Sequence, residues 1–169
     1  GFSNLKVIFA LPVLVVEDYD EKTAMEELKL YTEDKRIVRP EEIEGAHDEW
    51  PEFIHHSEGD PGGKNYEKLG SLFPQFQFHL RDNQDVSVGG GISIPLKWDG
   101  SVEDLPEGWH AAIARGIENH GNAETPTALC ALAAQIGAAH AGKGYSKHLV
   151  RAMKTLAANH NLGWVILPL

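Results

Sequence analysis

Hydrophobic and polar positions alternate in the middle of the chain, where they predict a β-hairpin. The segment 75–82 has the period-two pattern of a half-buried strand. Its apolar positions are Phe76, Phe78 and Leu80, and its polar ones are Gln75, Gln77, His79 and Arg81. Residues 82–85 predict a turn, and 86–98 predict the returning strand. Three successive glycines, 89–91, interrupt that strand and indicate a bulge or a close backbone approach.

Other segments have the apolar spacing of amphipathic helices. Helices are predicted over 17–31, 64–73, 104–120 and 146–159, with a further short helix from Pro40. In the second, Tyr66, Leu69 and Leu72 face inward; in the third, Trp109, Ile113 and Ile117 stack at successive turns. The apolar stripe of the fourth consists of Leu149, Val150, Met153, Leu156 and Ala157.

Continuous apolar runs predict strands that are buried on both faces. Residues 127–136 and 164–169 form two such runs, and 7–16 predicts a buried strand or two short ones around Pro12. The last two strands and the helix between them form a βαβ unit, which implies parallel strands. The predicted fold class is therefore α/β, a mixed-sheet sandwich with helices on both faces.

Length and charge narrow the class of protein. The 169 residues suit a single domain, and a formal net charge of -10 disfavours nucleic acid and anionic membranes as partners. A single cysteine, Cys130, excludes an intrachain disulfide and fits a reducing, cytoplasmic location. The charge is uneven, because no Asp or Glu follows Glu124. Beyond it the formally charged side chains are Lys143, Lys147, Arg151 and Lys154.

The basic helix follows a glycine-containing turn, Gly142-Lys143-Gly144. Unpaired amides at a helix N-terminus attract anions, and glycine lets a phosphate approach the backbone closely. A multiply phosphorylated ligand would suit this end, although a basic face opposite an apolar stripe is often simply solvated. The spacing fits neither G-x-x-x-x-G-K-[ST] nor G-x-G-x-x-G.

The segment 133–169 resembles the acyl-coenzyme A-binding motif of the GNAT superfamily of N-acetyltransferases, R/Q-x-x-G-x-G/A between a fourth strand and a long helix. Gly144 stands at the central glycine, whereas Ala141 replaces Arg or Gln and Ser146 replaces Gly or Ala. Residues 50–116 also resemble a bacterial branch of GNAT-like proteins. The resemblance implies one domain over 1–169, clear over 50–169, with 1–49 fitting loosely as a first strand and helices.

This resemblance implies a cofactor site and a reaction. Backbone groups at the end of the fourth strand would pair with the pantetheine arm, and amides of 142–146 would hold the pyrophosphate. The implied contact residues are Ala134, Gln135, Ile136, Ala141, Gly142, Lys143, Gly144, Tyr145 and Ser146. The activity would be transfer of an acyl group, most commonly acetyl, from acetyl-CoA to an amine of an unidentified acceptor, without a metal.

Two other functions remain open at this point. A GNAT-like module could hold CoA or a nucleotide as a sensor or scaffold without transfer. A purely structural domain could use its acidic N-terminal part to meet a basic partner. Binding of CoA and amine-dependent release of its thiol distinguish the three.

The resemblance also implies a deficit. GNAT domains continue beyond the fifth strand with a helix and two strands, whereas this chain ends at Leu169. We therefore expect a C-terminally truncated domain and weak catalysis. Strand 164–169 would lie at a sheet edge and favour a homodimer, unless the run 7–16 folds back beside it.

The residues do not single out a catalytic group. His79, Glu118, His120 and Glu124 are conceivable bases, and none ranks above the others. Cys130, in an apolar strand, is expected to be a buried, inert thiol. No metal-ligand spacing exists among the histidines, and four are interpreted as surface residues: His47, His55, His56 and His110.

Overall fold

A six-stranded mixed sheet organises the protein. The structure, a computed structural model, describes residues 28–35, 65 and 68–168, and the backbone of 6–9. The strands are β1 (Lys6–Phe9), β2 (Lys29–Thr32), β3 (Phe78–Arg81), β4 (Ser87–Leu96), β5 (Ala128–Ile136) and β6 (Trp164–Leu167), in the spatial order β1-β6-β5-β4-β3-β2. The helices are α1 (Lys68–Leu72), α2 (Gly108–Gly121) and α3 (Ser146–Asn159). Short 3-10 helices cover Glu33–Lys35, Pro74–Phe76 and Ala138–His140. This arrangement confirms the predicted α/β class with a mixed sheet.

The predicted hairpin is present as β3 and β4, which pair antiparallel. Phe76, Phe78 and Leu80 are buried, as the alternation indicates. The first part of the segment departs from the prediction, because Pro74–Phe76 forms a 3-10 helix. Gln77 is buried rather than solvated: its side chain donates to the carbonyls of Phe73 and Ser93, both at 2.9 Å. These bonds satisfy a polar group that would otherwise be costly to bury.

The glycines of β4 fulfil both parts of their prediction. The β3–β4 register shifts beside them, where Leu80 pairs with Gly89 and Arg81 with Ser87. A Cβ atom on Gly89 would lie 2.5 Å from the carbonyl oxygen of Gln135. Backbone and side-chain atoms of the neighbouring strands therefore occupy the space that larger residues need.

The α2 helix packs closely on β4 through Gly116. A Cβ atom there would lie 2.6 Å from Cγ1 of Ile94 and 3.0 Å from the carbonyl oxygen of Pro95. Ile113 of the predicted stripe is fully buried, and Trp109 and Ile117 pack at the edge of the core. Residues 104–107, predicted as helical, precede the helix instead.

The βαβ unit β5–α3–β6 is present with β5 and β6 parallel, as predicted. Helix α3 buries Leu149, Met153, Leu156 and Ala157, and also His148, which the apolar pattern omits. It ends where Asn161 takes a φ of 57° and the Leu162 amide donates to the carbonyl of Ala157. This left-handed turn is a common helix terminus and aims the chain into β6.

Three expectations, about one helix end and two strands, are wrong in part. The end of the predicted helix 17–31 is strand β2, because Lys29–Thr32 pairs with β3; residues 17–27 lie outside the described part. Burial on both faces holds only for the first half of β5, since 132–136 are half-buried or exposed. Strand β6 is not an edge: β1 pairs with it in parallel, from Lys6 opposite Trp164 to Phe9 opposite Leu167.

The position of β1 changes the expectation that β6 is an exposed edge available for dimerisation. Part of the run 7–16 lies beside β6, which was the stated exception to the exposed edge. A homodimer through β6 therefore loses its basis, because the backbone groups of that strand already have a partner on each side. In the described ranges, no helix combines the length and apolar character needed to span a membrane.

Candidate ligand-binding site

Strands β5 and β6 pair along only part of their length. The register joins Ala128 to Trp164, Leu129 to Val165 and Cys130 to Ile166, and it goes no further. On the opposite side β4 follows β5 to its end, with Gly89 opposite Ile136. Within the described residues, 131–136 therefore have a strand neighbour on one side only. This opening exposes the edge of a central strand to a ligand.

A bulge lies at the start of the opening. Ile92 pairs with Ala133 and Ser93 with Ala131, so that Leu132 is an extra residue on β5. The carbonyl of Leu132 accepts a hydrogen bond of 2.8 Å from the indole Nε1 of Trp109, in the first turn of α2. A bulge bends its strand and increases the local twist, so the backbone of β5 is irregular where the opening begins.

The three strand residues of the predicted site lie opposite the glycine triplet. Ala134 pairs with Gly91, Gln135 with Gly90 and Ile136 with Gly89. The Gly137 amide donates to the carbonyl of Val88 at 3.0 Å and extends this pairing beyond the strand. Ala134 is exposed, whereas Gln135 and Ile136 are half-buried. Backbone contact is thus the interaction that this segment is best placed to offer.

The loop from β5 to α3 brings the other predicted residues together. After the 3-10 helix Ala138–His140, Gly142 and Gly144 take φ angles of 78° and 76°, conformations that favour glycine. Ala141, Gly142, Lys143, Gly144 and Ser146 are all exposed. Among the described residues, no backbone carbonyl accepts from the amides of Gly142, Gly144, Tyr145 or Ser146. The loop therefore presents several free amides beside the positive end of α3.

Tyr145 contributes packing to this loop. Its half-buried ring lies 6.3 Å from the ring of His140 and 5.9 Å from that of His148, measured between centroids. It also packs against the hydrophobic core. This cluster joins the 3-10 helix to the first turn of α3.

Positive charge continues along α3. Lys143 and Lys147 are exposed, and Arg151 and Lys154 are half-buried. Nη1 of Arg151 is shielded from solvent and has no hydrogen-bond partner among the described residues. A buried guanidinium nitrogen without an acceptor is costly, and an anionic oxygen would satisfy it.

The candidate bases occupy different places. His79 pairs with Gly90 across the sheet, and Gly90 pairs with Gln135, so His79 shares a cross-strand row with the predicted site. His120 lies at the end of α2, where its ring packs on Phe73 at 5.1 Å. Glu118 is exposed on the same helix. None of these positions supplies a contact that would identify a base.

Glu124 is held in a polar cluster. Its carboxylate accepts from Lys97 at 3.3 Å and from the Asn119 amide at 2.6 Å. The hydrogen bond from Lys97, followed by that from Asn119, lowers the pKa of Glu124. A carboxylate with a lowered pKa is a weaker proton acceptor, which places Glu124 behind the other candidates.

Cys130 is buried, as predicted, and its lack of reactivity stays a prediction. It is fully buried in β5, and desolvation raises its pKa to about 12. Within the described ranges, no three His, Cys, Asp or Glu side chains come together in a way that could hold a metal ion. His110 is exposed as interpreted, while His47, His55 and His56 lie outside those ranges.

The sequence does not predict two structural features of the candidate site, the bulge at Leu132 and its bond from Trp109. The bulge at Leu132 and the hydrogen bond from Trp109 depend on contacts between residues 23 positions apart. The glycine triplet was the one available signal, because it marked an irregular strand without identifying its partner. Trp109 showed only the spacing of a core residue.

The mixed sheet with its flanking helices is compatible with a GNAT-like fold. Comparison with models of known protein families gives no match to this chain. No curated protein matches its sequence either.

Proposed function

We propose that this chain binds coenzyme A in the opening between β5 and β6 and acts as an acyl-CoA-dependent N-acyltransferase. The observation that carries the proposal is that β5 continues six residues beyond its last pair with β6 and then leads through the glycine loop into α3. An extended pantetheine arm is an amide chain, and the edge at 133–136 offers it strand-like hydrogen bonds. The amides of Gly142, Gly144, Tyr145 and Ser146, which no backbone carbonyl of the described residues accepts from, lie further along the chain and suit its diphosphate.

The charge distribution supports the same ligand. The overall formal charge is -10, yet the formally charged side chains after Glu124 are all basic. The loop contains Lys143, and α3 adds Lys147 and Arg151 directly after it. Their positive charge favours an anion at this end of the chain. In the reaction an acceptor amine would attack the thioester carbonyl, the new C–N bond would replace the C–S bond, and a base would take the amine proton.

A second candidate is CoA binding without transfer. The lowered pKa of Glu124 and its contacts with Lys97 and Asn119 favour this alternative, because they commit one of the conceivable bases to a structural cluster. The acyl group, most commonly acetyl, and the acceptor amine are part of the first proposal only. We propose a cytoplasmic location for a transferase and for a binding module alike, since both would use the intracellular CoA pool.

A thermal-shift titration with coenzyme A tests binding. Free ligand at about 100 times the dissociation constant stabilises by about 2.7 kcal/mol, which raises the Tm of a chain of this size by roughly 5–10 °C. No shift at millimolar CoA on a verified folded sample refutes the proposal and leaves the structural role.

An acetyl-CoA assay then separates transfer from binding. Free CoA thiol is measured with a disulfide reagent, to which the buried Cys130 contributes little background. Release that depends on an added amine supports the transferase, and stabilisation without release supports the binding module. A panel of small diamines, lysine derivatives and aminoglycosides covers the cationic acceptors that an acidic surface favours.

A further inference from the structure

We propose that Trp109 is a positioning residue that fixes the ligand-binding edge of β5 by holding the bulge at Leu132. This inference rests on the proposed function for the identity of the ligand, but the claim that Trp109 holds the bulge rests only on the strand register and one hydrogen bond. The relevant contact is the 2.8 Å hydrogen bond from the Trp109 indole to the Leu132 carbonyl.

The bulge determines which backbone groups reach the open edge. In a strand, successive amides and carbonyls point to alternate sides, so a shift of one residue exchanges the inward and outward sets. With Leu132 extruded, Ala134, Gln135 and Ile136 meet the glycines of β4 one for one. Without the bulge, 133–136 would slip by one position and present the opposite set of groups to the opening.

The extra residue of a bulge lacks a regular ladder partner, and its carbonyl needs a hydrogen-bond donor from elsewhere. Trp109 provides that donor from a helix that is anchored independently, since α2 packs closely on β4 at Gly116 and buries Ile113 in the core. The indole is half-buried at the edge of the core, where its own position is restrained by packing. The rigid helix thereby fixes the irregular strand.

Trp109→Phe is the test, and Trp98→Phe is its matched control. Trp98 also donates a 2.8 Å indole hydrogen bond to a backbone carbonyl, that of Ser101, in a loop remote from β5 in sequence. Both variants lose one indole donor and some ring volume. Circular dichroism and thermal melts establish that each is folded; if Trp109→Phe does not fold, Trp109→Tyr replaces it.

The first readout is amide hydrogen exchange without ligand. We expect Trp109→Phe to accelerate exchange in the peptide covering 131–137 by several-fold more than in α3, and Trp98→Phe to leave that peptide unchanged relative to α3. Strand β6 is not a reference, because the Trp98 ring packs on Trp164. Equal protection of 131–137 in Trp109→Phe and wild type overturns the proposal, whether or not the protein binds CoA.

The second readout is the dissociation constant for coenzyme A by calorimetry. Loss of one net hydrogen bond that holds the binding edge should weaken CoA about three- to tenfold in Trp109→Phe, and Trp98→Phe should match wild type. If wild type binds and both variants bind equally well, Trp109 does not position the site. If wild type fails to bind, the proposed function falls, while the exchange result still decides the structural part.

Discussion

Replacing Gly144 by valine is the most direct test of the phosphate loop. Gly144 has a φ of 76°, and apart from its two chain neighbours no heavy atom of the described residues lies within 4 Å of the position that a Cβ would take. The change therefore creates no internal clash and acts through backbone strain and through the ligand. Left-handed backbone costs a residue with a Cβ roughly 1–2 kcal/mol, and a branched side chain brings the cost toward about 3 kcal/mol.

That cost leaves the protein folded. Substituting glycine also stabilises by about 0.4–1 kcal/mol through lost freedom in the unfolded chain, so the net penalty is about 2–2.6 kcal/mol. A natural domain has roughly 5–15 kcal/mol of stability, and the Tm should fall by about 4–10 °C. Binding should suffer more, because a branched side chain at the free amides blocks the approach of a diphosphate; we expect at least a tenfold weaker affinity for CoA.

Gly100→Val is the matched control for strain. Gly100 also has a positive φ, 91°, and open space at its Cβ position, but it lies in the loop between β4 and α2. The two variants should lose similar stability in urea denaturation, whereas only Gly144→Val should lose CoA affinity by calorimetry. A folded Gly144→Val protein that binds CoA as tightly as Gly100→Val would show that this loop does not hold the phosphates.

Three further predictions concern stability and reactivity. Gly116→Ala should destabilise by about 1–2 kcal/mol in urea denaturation, since overpacking against β4 exceeds the helix propensity gained, while Gly121→Ala, with open space at the end of α2, should be neutral or stabilising. Cys130 should resist iodoacetamide at pH 8 until the protein is unfolded, and rapid native alkylation would contradict its burial and raised pKa. Hydrogen bonding by Lys97 lowers the pKa of Glu124 in the folded protein. Ionised Glu124 therefore stabilises the fold above its unfolded-state pKa, and this stabilisation is lost as the pH falls through its folded-state pKa. Glu124→Gln should flatten the acid side of the profile of unfolding free energy against pH, and an unchanged profile would refute this linkage.

The sequence predicts best where neighbours along the chain decide the structure. Helix α3 has the predicted bounds because its apolar stripe and its stop at 160–163 are local signals. Strand β5 and the hairpin turn at 82–85 likewise follow from continuous apolar residues and turn residues. The parallel orientation of β5 and β6 then follows from connectivity alone.

Prediction fails where a distant partner changes the local preference. Residues 29–32 continue a helical apolar spacing, yet they form β2 because β3 offers a complete edge. Tyr31 also lies 5.5 Å below the Arg81 guanidinium, a contact between strands that the spacing cannot reveal. Gln77 is polar and buried for a similar reason, because the backbone of Ser93, 16 residues away, supplies both its donor and its acceptor.

Strand β5 combines two roles that composition alone does not separate. Its first residues, 128–131, are buried, and 128–130 have strands on both sides, which joins the two halves of the sheet. After Leu132 the same apolar strand keeps its pairing with β4 and has no β6 partner within the described residues. We propose that the bulge and its bond to Trp109 determine which backbone groups this edge presents. If this edge binds CoA, the affinity depends as much on the packing of α2 as on the glycine loop that first indicated the ligand.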